Sequence, residues 1–275
     1  DPLTPEGGSL AATPFPVGTP RPARVLPARA VPVPWEEAVL PGLRTILLAG
    51  DGSDAGAGEW ARAARIPVLA EPTSPLAFHP LRMPHEQSLL SSALAERIEQ
   101  VVVTGRPTLS RPVSALLARS GLRIVVVDPS NEWTDVAGSA ALVVPALAPP
   151  APEAADPAGP APSSAWLAHW RALAEATGEV IERVLARAPL SVLHVAEAVW
   201  KADSRTLLLG ASNSVRAADL VGRGGAPRRV VSNRGLAGID GTLATAIGLA
   251  LGTGEAVTAL MGDLTFLHDA GALAV

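Results

Sequence analysis

Apolar residues in the first half of the chain fall in short unbroken runs instead of alternating with polar ones. Thr45-Ile-Leu-Leu-Ala-Gly50, Pro67-Val-Leu-Ala70, Val101-Val-Val-Thr104, Arg123-Ile-Val-Val-Val-Asp128 and Ala141-Leu-Val-Val144 read as strands covered on both faces, the pattern of a buried parallel sheet. Helices are predicted between them. One passes through Trp60 and Arg65, an amphipathic one covers 85–100 with Leu89, Leu90, Leu94 and Ile98 inward, and one runs from Pro112 to Arg119. Residues 72–84 read as loop. Strands and helices alternating through short loops predict an α/β fold, with a Rossmann-like, doubly wound central domain over 37–148.

Proline marks off the remainder. Residues 1–36 hold nine prolines; at that density donors are lost and the backbone is held extended, which predicts a connector lying on a neighbouring surface. An Ala/Pro run predicts a second linker over 149–163. Ser163 and Ser164 can then cap a helix over 165–188, with Trp166, Leu167, Trp170, Leu173, Val180, Ile181 and Val184 at helical spacing. A helix over 191–201 follows, and then a new α/β unit. Its expected parts are a strand at 205–209, a turn into a helix, a strand at 229–231, a loop at 232–240, a helix at 241–251, a strand at 256–261 and a last helix running to Val275. Residues 164–275 thus read as helices and the N-terminal part of a further α/β domain. Beginning at Asp1 and ending within a helical pattern, the sequence reads as a piece of a longer protein.

Composition narrows the function classes. With 48% hydrophobic residues, 17% charged and a net charge of −4, the chain has the make-up of a soluble globular protein and lacks the basic face a nucleic acid would need. Cysteine is absent, which removes a disulfide framework and a thiolate nucleophile and fits a reducing, cytoplasmic setting. The uncharged run at 241–254 is too short and too rich in Gly and Thr for a membrane span. The five histidines show no metal-ligand spacing, and no Ser-His-Asp set can be assembled, so no catalytic residue is assigned.

Several loops carry candidate chemistry. Gly50-x-Gly52 follows a strand, and Glu71 sits at the end of the next one, where an acid would meet a ribose hydroxyl. Against a dinucleotide there, Gly56 misses the spacing, and Asp51 and Asp54 oppose a pyrophosphate; a structural tight turn is the expectation. Arg106 and Arg111 flank a strand's carboxyl end. Ser212-Asn-Ser-Val-Arg216 opens a helix, with Ser212 and Ser214 as ordinary N-cap types. Arg216 in its first turn opposes the helix dipole unless it faces an anion. Arg234 lies among glycines after the next strand. Two arginines at adjacent strand ends point to a carboxylated substrate. Gly262-Asp263 ends the last strand, where a carboxylate suits magnesium bridging a diphosphate, or else caps the helix that follows. The helix at 241–251 offers first-turn amides to phosphate oxygens.

Taken together, Gly105-Arg-Pro-Thr-Leu-Ser-Arg-Pro-Val113, Ala211-Ser-Asn-Ser-Val-Arg216, Ser232-Asn-Arg-Gly-Leu-Ala-Gly-Ile-Asp-Gly241 and Gly262-Asp-Leu-Thr-Phe-Leu-His-Asp269 resemble the 2-succinyl-5-enolpyruvyl-6-hydroxy-3-cyclohexene-1-carboxylate synthases of menaquinone biosynthesis, which are thiamine-diphosphate enzymes. The resemblance covers the whole chain in order and makes 164–275 the first part of a thiamine-diphosphate-binding domain. It implies a transferase in which thiamine diphosphate adds to 2-oxoglutarate, carbon dioxide leaves, and the succinyl-semialdehyde carbanion adds to isochorismate. By position it implies that Asp263 binds magnesium (or manganese), with Gly262 and Leu264 beside it at the cofactor. It places Ser212, Arg216 and Arg234 against substrate carboxylates, with Arg111 reaching the same pocket from the central domain. The family's activating glutamate and second metal ligand are not found here, so the piece alone is expected to be inactive. A homodimer or homotetramer is expected of the full-length protein. A non-catalytic nucleotide-binding module and another thiamine-diphosphate enzyme, such as an acetolactate synthase, stand as alternatives.

Overall fold

The computed structural model describes residues 30–130, 133, 135, 137–151, 162–203 and 205–274. Most of the 1–36 connector and of the 149–163 linker, and Val275, lie outside the described residues.

The apolar runs form a five-stranded parallel sheet. β1 is Thr45–Ala49, β2 Val68–Ala70, β3 Gln100–Thr104, β4 Arg123–Val127 and β5 Leu142–Val144, in the order β2-β1-β3-β4-β5. β1, β2 and β3 are buried at every position, as unbroken Val/Ile/Leu runs between two helical layers require. Those layers include α1 (Trp35–Ala38), α2 (Ala57–Ala64), α3 (Glu86–Leu89), α4 (Ala93–Glu96) and α5 (Arg111–Leu117). A fold of the α/β class is therefore present.

The helix expected over 85–100 is instead two short ones, α3 and α4. Ser92 adopts an extended conformation, and its hydroxyl donates to the Leu89 carbonyl, as that of Ser91 does to Gln87. Side chains that compete for backbone carbonyls in this way interrupt a helix despite good apolar spacing. Gln100, assigned to that helix by pattern, opens β3 with its amide bonded to Leu40 and Thr45.

The long helix α6 (Pro162–Leu185) starts three residues before the expected Ala165, with proline in its first turn. Trp166, Trp170 and Ala174 join the core of the first sheet, and the Trp166 indole donates to the Thr45 carbonyl at 2.9 Å. At the other end Leu185 packs with α7 (Val192–Lys201) and α8 (Asn213–Val221). α6 therefore spans both cores.

The second sheet is parallel, in the order β7-β6-β8, with β6 at Thr206–Leu209, β7 at Arg229–Val231 and β8 at Val257–Leu260. α9 (Thr242–Thr253) precedes β8 and α10 (Asp263–His268) follows it. The last helix expected to run to Val275 stops at His268 and gives way to a 3-10 turn at Ala270–Ala274. Among the described residues no helix is long and apolar enough to cross a membrane.

Candidate functional site

In an open parallel sheet, ligands bind beyond the carboxyl ends of the strands where the winding reverses. The first sheet reverses between β1 and β3, and the chain itself fills that crevice. Asp51 pairs with Arg106 in an antiparallel bridge, and a Cβ on Gly50 would lie 2.1 Å from the Pro107 nitrogen. Gly105, at φ 68°, packs on the other side of the crossing, where a Cβ would lie 2.5 Å from the Asp51 carbonyl oxygen. The glycines thus serve a backbone crossing and not a pyrophosphate. Glu71 does not wait for a ribose either: its Oε1 accepts from the Leu109 amide at 2.7 Å.

The second sheet reverses at β6, and the remaining candidates gather there. Gly210 ends the strand against Met261, its amide bonded to the Leu260 carbonyl at 2.8 Å. Ser212 is the N-cap residue of α8 but makes no side-chain cap bond, and its exposed hydroxyl has no hydrogen-bond partner among the described residues. One turn in, Arg216 donates from Nη1 to the Leu109 carbonyl at 2.7 Å. Arg234, after β7, donates from Nη2 to the Thr108 hydroxyl at 3.3 Å, and its buried Nε has no partner among the described residues. The two arginines therefore bond to consecutive residues, Leu109 and Thr108, of the loop that leads into α5. Arg111 is the exposed first residue of α5; Ser110 caps that helix through the Val113 amide.

Asp263 is the first residue of α10, exposed and without a hydrogen-bond or ion-pair partner among the described residues. The cap position belongs to Gly262, so the reading of Asp263 as an N-cap is off by one residue, and its carboxylate stays available. Leu264 is 70% exposed. The first turn of α9 is not wholly bare, because Asp269 accepts from the Ala244 amide at 2.8 Å. His268, its neighbour, turns elsewhere, 3.8 Å from Asp240, so the two consecutive residues do act apart.

Near the arginines lies a set of buried charges, of which the sequence marks only Glu71, and for a different role. Asp219 on α8 is fully buried and accepts from Gln87; Glu71 and Glu86 are each 1% exposed. Arg82 threads between them, donating to the carbonyls of Ala70 at 3.2 Å and Gly222 at 2.8 Å. Burial pushes the Glu71 carboxyl up to about 7, aided by the Asp219 charge and opposed by the Leu109 amide and Arg234. Burial likewise raises Asp219 to about 6, held back by Gln87, Arg82 and Arg216. Glu86 is raised well above the ordinary carboxylate range by burial and by its two acidic neighbours. These residues come from the end of β2, the segment after it, α3 and α8, with no fixed spacing; Glu71 alone stands out in the sequence, as an acid at a strand end placed to meet a ribose.

No family model matches the chain. It is 40% identical over 287 residues to the 2-succinyl-5-enolpyruvyl-6-hydroxy-3-cyclohexene-1-carboxylate synthase of Kineococcus radiotolerans, covering 99% of this chain and 48% of that protein. The synthase of the same name from Mycolicibacterium vanbaalenii is 40% identical over 286 residues, covering 100% of this chain and 48% of that protein. That of Nocardia farcinica is 41% identical over 237 residues, or 84% of this chain and 39% of the relative. The chain is thus homologous to these synthases along nearly its whole length, and it spans about half the length of the curated relatives it matches.

Proposed function

From its kinship with these synthases, we propose that the protein decarboxylates 2-oxoglutarate and adds the remaining four-carbon unit to isochorismate. The product is 2-succinyl-5-enolpyruvyl-6-hydroxy-3-cyclohexene-1-carboxylate, on the way to menaquinone, and the setting is cytoplasmic. One observation carries the reading. Arg216 and Arg234 stand at neighbouring strand ends and meet on a single loop, in a chain about 40% identical to such enzymes.

Each guanidinium spends one donor on the loop, and its remaining donors suit the carboxylates of both substrates. Ser212 adds a hydroxyl at the start of α8. Arg111 extends the cationic rim from the central sheet. Asp263 fits a magnesium or manganese ion as one hard oxygen ligand, since its carboxylate is exposed and unspent. Gly262 and Leu264 flank it without a bulky polar group. Thiamine diphosphate, when bound, supplies the electron sink for losing carbon dioxide. On this reading the 275 residues alone are inactive, since the activating glutamate and the second metal ligand that the resemblance implies are not found among them. Exposed Leu251, Leu264, Leu267 and Leu273 present apolar surface consistent with a homodimer or homotetramer.

The test is turnover by the protein expressed from its complete reading frame. Product formation should need both substrates, thiamine diphosphate and a divalent ion. Arg216→Ala and Arg234→Ala should each raise a substrate KM about ten- to hundred-fold, the loss expected of a charged hydrogen bond. Preference for pyruvate as donor would favour an acetolactate-type enzyme instead.

A further inference from the structure

The candidate arginines are themselves held, and the holding can be traced to one side chain. Glu71 lies at the carboxyl end of β2, 1% exposed. Its Oε1 accepts from the Leu109 amide at 2.7 Å, and the Leu109 carbonyl accepts from Arg216 Nη1 at 2.7 Å. The Leu109 side chain, 2% exposed, is packed in the core of the second sheet with Leu207, Leu209 and Val215. Thr108, next in the loop, accepts from Arg234. A single residue of the central half is thereby fixed by its amide, its side chain and its carbonyl.

We propose that Glu71 is a positioning residue for Arg216, acting through Leu109 on the arginine that receives a substrate carboxylate. The proposal rests on the reading of Arg216 given above. An exposed arginine samples many rotamers, and ordering it on binding costs entropy. A carbonyl held in place removes part of that cost beforehand, which is how preorganisation strengthens a contact. The Leu109 carbonyl lies in the peptide plane after the one Glu71 holds, and the two planes are hinged at the Leu109 Cα. With the amide held by Glu71 and the side chain packed in the second core, that hinge has little freedom left and the carbonyl is aimed at Arg216. The groups facing Glu71 are Asp219 on α8, Glu86 on α3, Arg234 after β7 and the backbone of Asp51. None of these replaces it as acceptor for the Leu109 amide.

The experiment is a double-mutant cycle in the protein expressed from its complete reading frame, reading KM and kcat for 2-oxoglutarate and isochorismate. Glu71→Ala should raise one of the two KM values about ten-fold with kcat changed less than about threefold. Glu71→Gln keeps an acceptor oxygen and should stay within about threefold of the parent. In the Arg216→Ala background, Glu71→Ala should add nothing, because the two act on one contact. If the alanine variant does not fold, Glu71→Asp retains the charge, shortens the reach and should give the same rise in KM. Additive effects of the two substitutions, or a loss in Glu71→Gln equal to that in Glu71→Ala, overturn the proposal. Parental KM values in Arg216→Ala alone would instead overturn the pocket reading beneath it.

Discussion

Arg82 reaches from the first half of the chain to the carbonyl of Gly222 in the second, at 2.8 Å. The same guanidinium lies 5.6 Å over the ring of Trp200, which in turn stacks on Phe78 at 5.0 Å. Asp219 and Glu86 supply its countercharge. A buried cation with two carbonyls, an aromatic face and two carboxylates is a joint between the sheets, and it holds the C-terminal end of the helix that carries Arg216.

Arg82→Met should therefore cost about 3–5 kcal/mol near neutral pH, the range for removing one partner of a buried charge set. The cost arises because Asp219 and Glu86 would keep their burial and lose their cation. At pH 5, below the value of about 6 to which burial raises Asp219, that carboxylate takes up a proton, so the loss should shrink. Urea unfolding of the parent and the variant at pH 5 and pH 7.5 checks this; an equal loss at both values would place the effect in packing alone.

Glu71 gives a second pH signature. Its folded value of about 7 stands above the 4.5 of an ordinary glutamate. The folded protein therefore binds a proton between those values that the unfolded chain releases. The stability this provides is complete below pH 4.5 and is lost as pH rises through about 7. At about 1.4 kcal/mol per pH unit the fall is on the order of 3 kcal/mol. Asp219, raised to about 6, acts in the same sense. His79 and His85, pulled down mainly by burial, act oppositely below their usual value. The difference between the parent and Glu71→Gln isolates the glutamate: the variant's denaturation midpoint should fall less steeply between pH 4.5 and 7.5.

The strands of the first sheet were legible because burial on both faces leaves a run of Val, Ile and Leu that nothing else explains. Arg234 was legible through its glycine-rich surroundings and Arg216 through its place in a helix's first turn, where a cation opposes the dipole. What they touch was not. Leu109 reads as one more apolar residue in a loop, yet it lies in the core of the other sheet. Glu71, Arg82, Glu86 and Asp219 meet only because α8 docks on α3, and no periodicity records a contact across more than a hundred residues. The break between α3 and α4 was hidden for a different reason: two serine hydroxyls outweigh an apolar pattern that by itself favours one helix.

Gly50→Ala tests the reading of the first crevice. A methyl group there would lie 2.1 Å from the Pro107 nitrogen and 2.2 Å from the Arg106 carbonyl carbon. Backbone on both sides cannot swing away as a side chain can. A loss of about 3 kcal/mol, at the upper end for overpacking, is expected in thermal or urea unfolding. The same crowding puts backbone against Gly50, where a dinucleotide turn would need room for the pyrophosphate, so NAD and ADP should produce no binding heat with the parent protein. Tight binding of either, with none of thiamine diphosphate, would revive the nucleotide-module alternative.

Asp263→Asn separates the cofactor from the fold. The carboxylate is exposed and has no partner among the described residues, so its loss should change unfolding free energy by no more than about 0.5 kcal/mol. A neutral amide keeps the shape and one oxygen but gives up the charge that a hard divalent ion requires. In the protein expressed from its complete reading frame, magnesium-dependent binding of thiamine diphosphate should weaken about ten- to hundred-fold, as for removal of a charged contact. Ser212→Ala, made at the neighbouring strand end, should leave that affinity unchanged and raise a substrate KM instead. Calorimetric titration of thiamine diphosphate with and without magnesium distinguishes these outcomes. Undiminished affinity in Asp263→Asn would remove this residue from the metal site and shift the diphosphate anchor to another part of the β6–β8 edge.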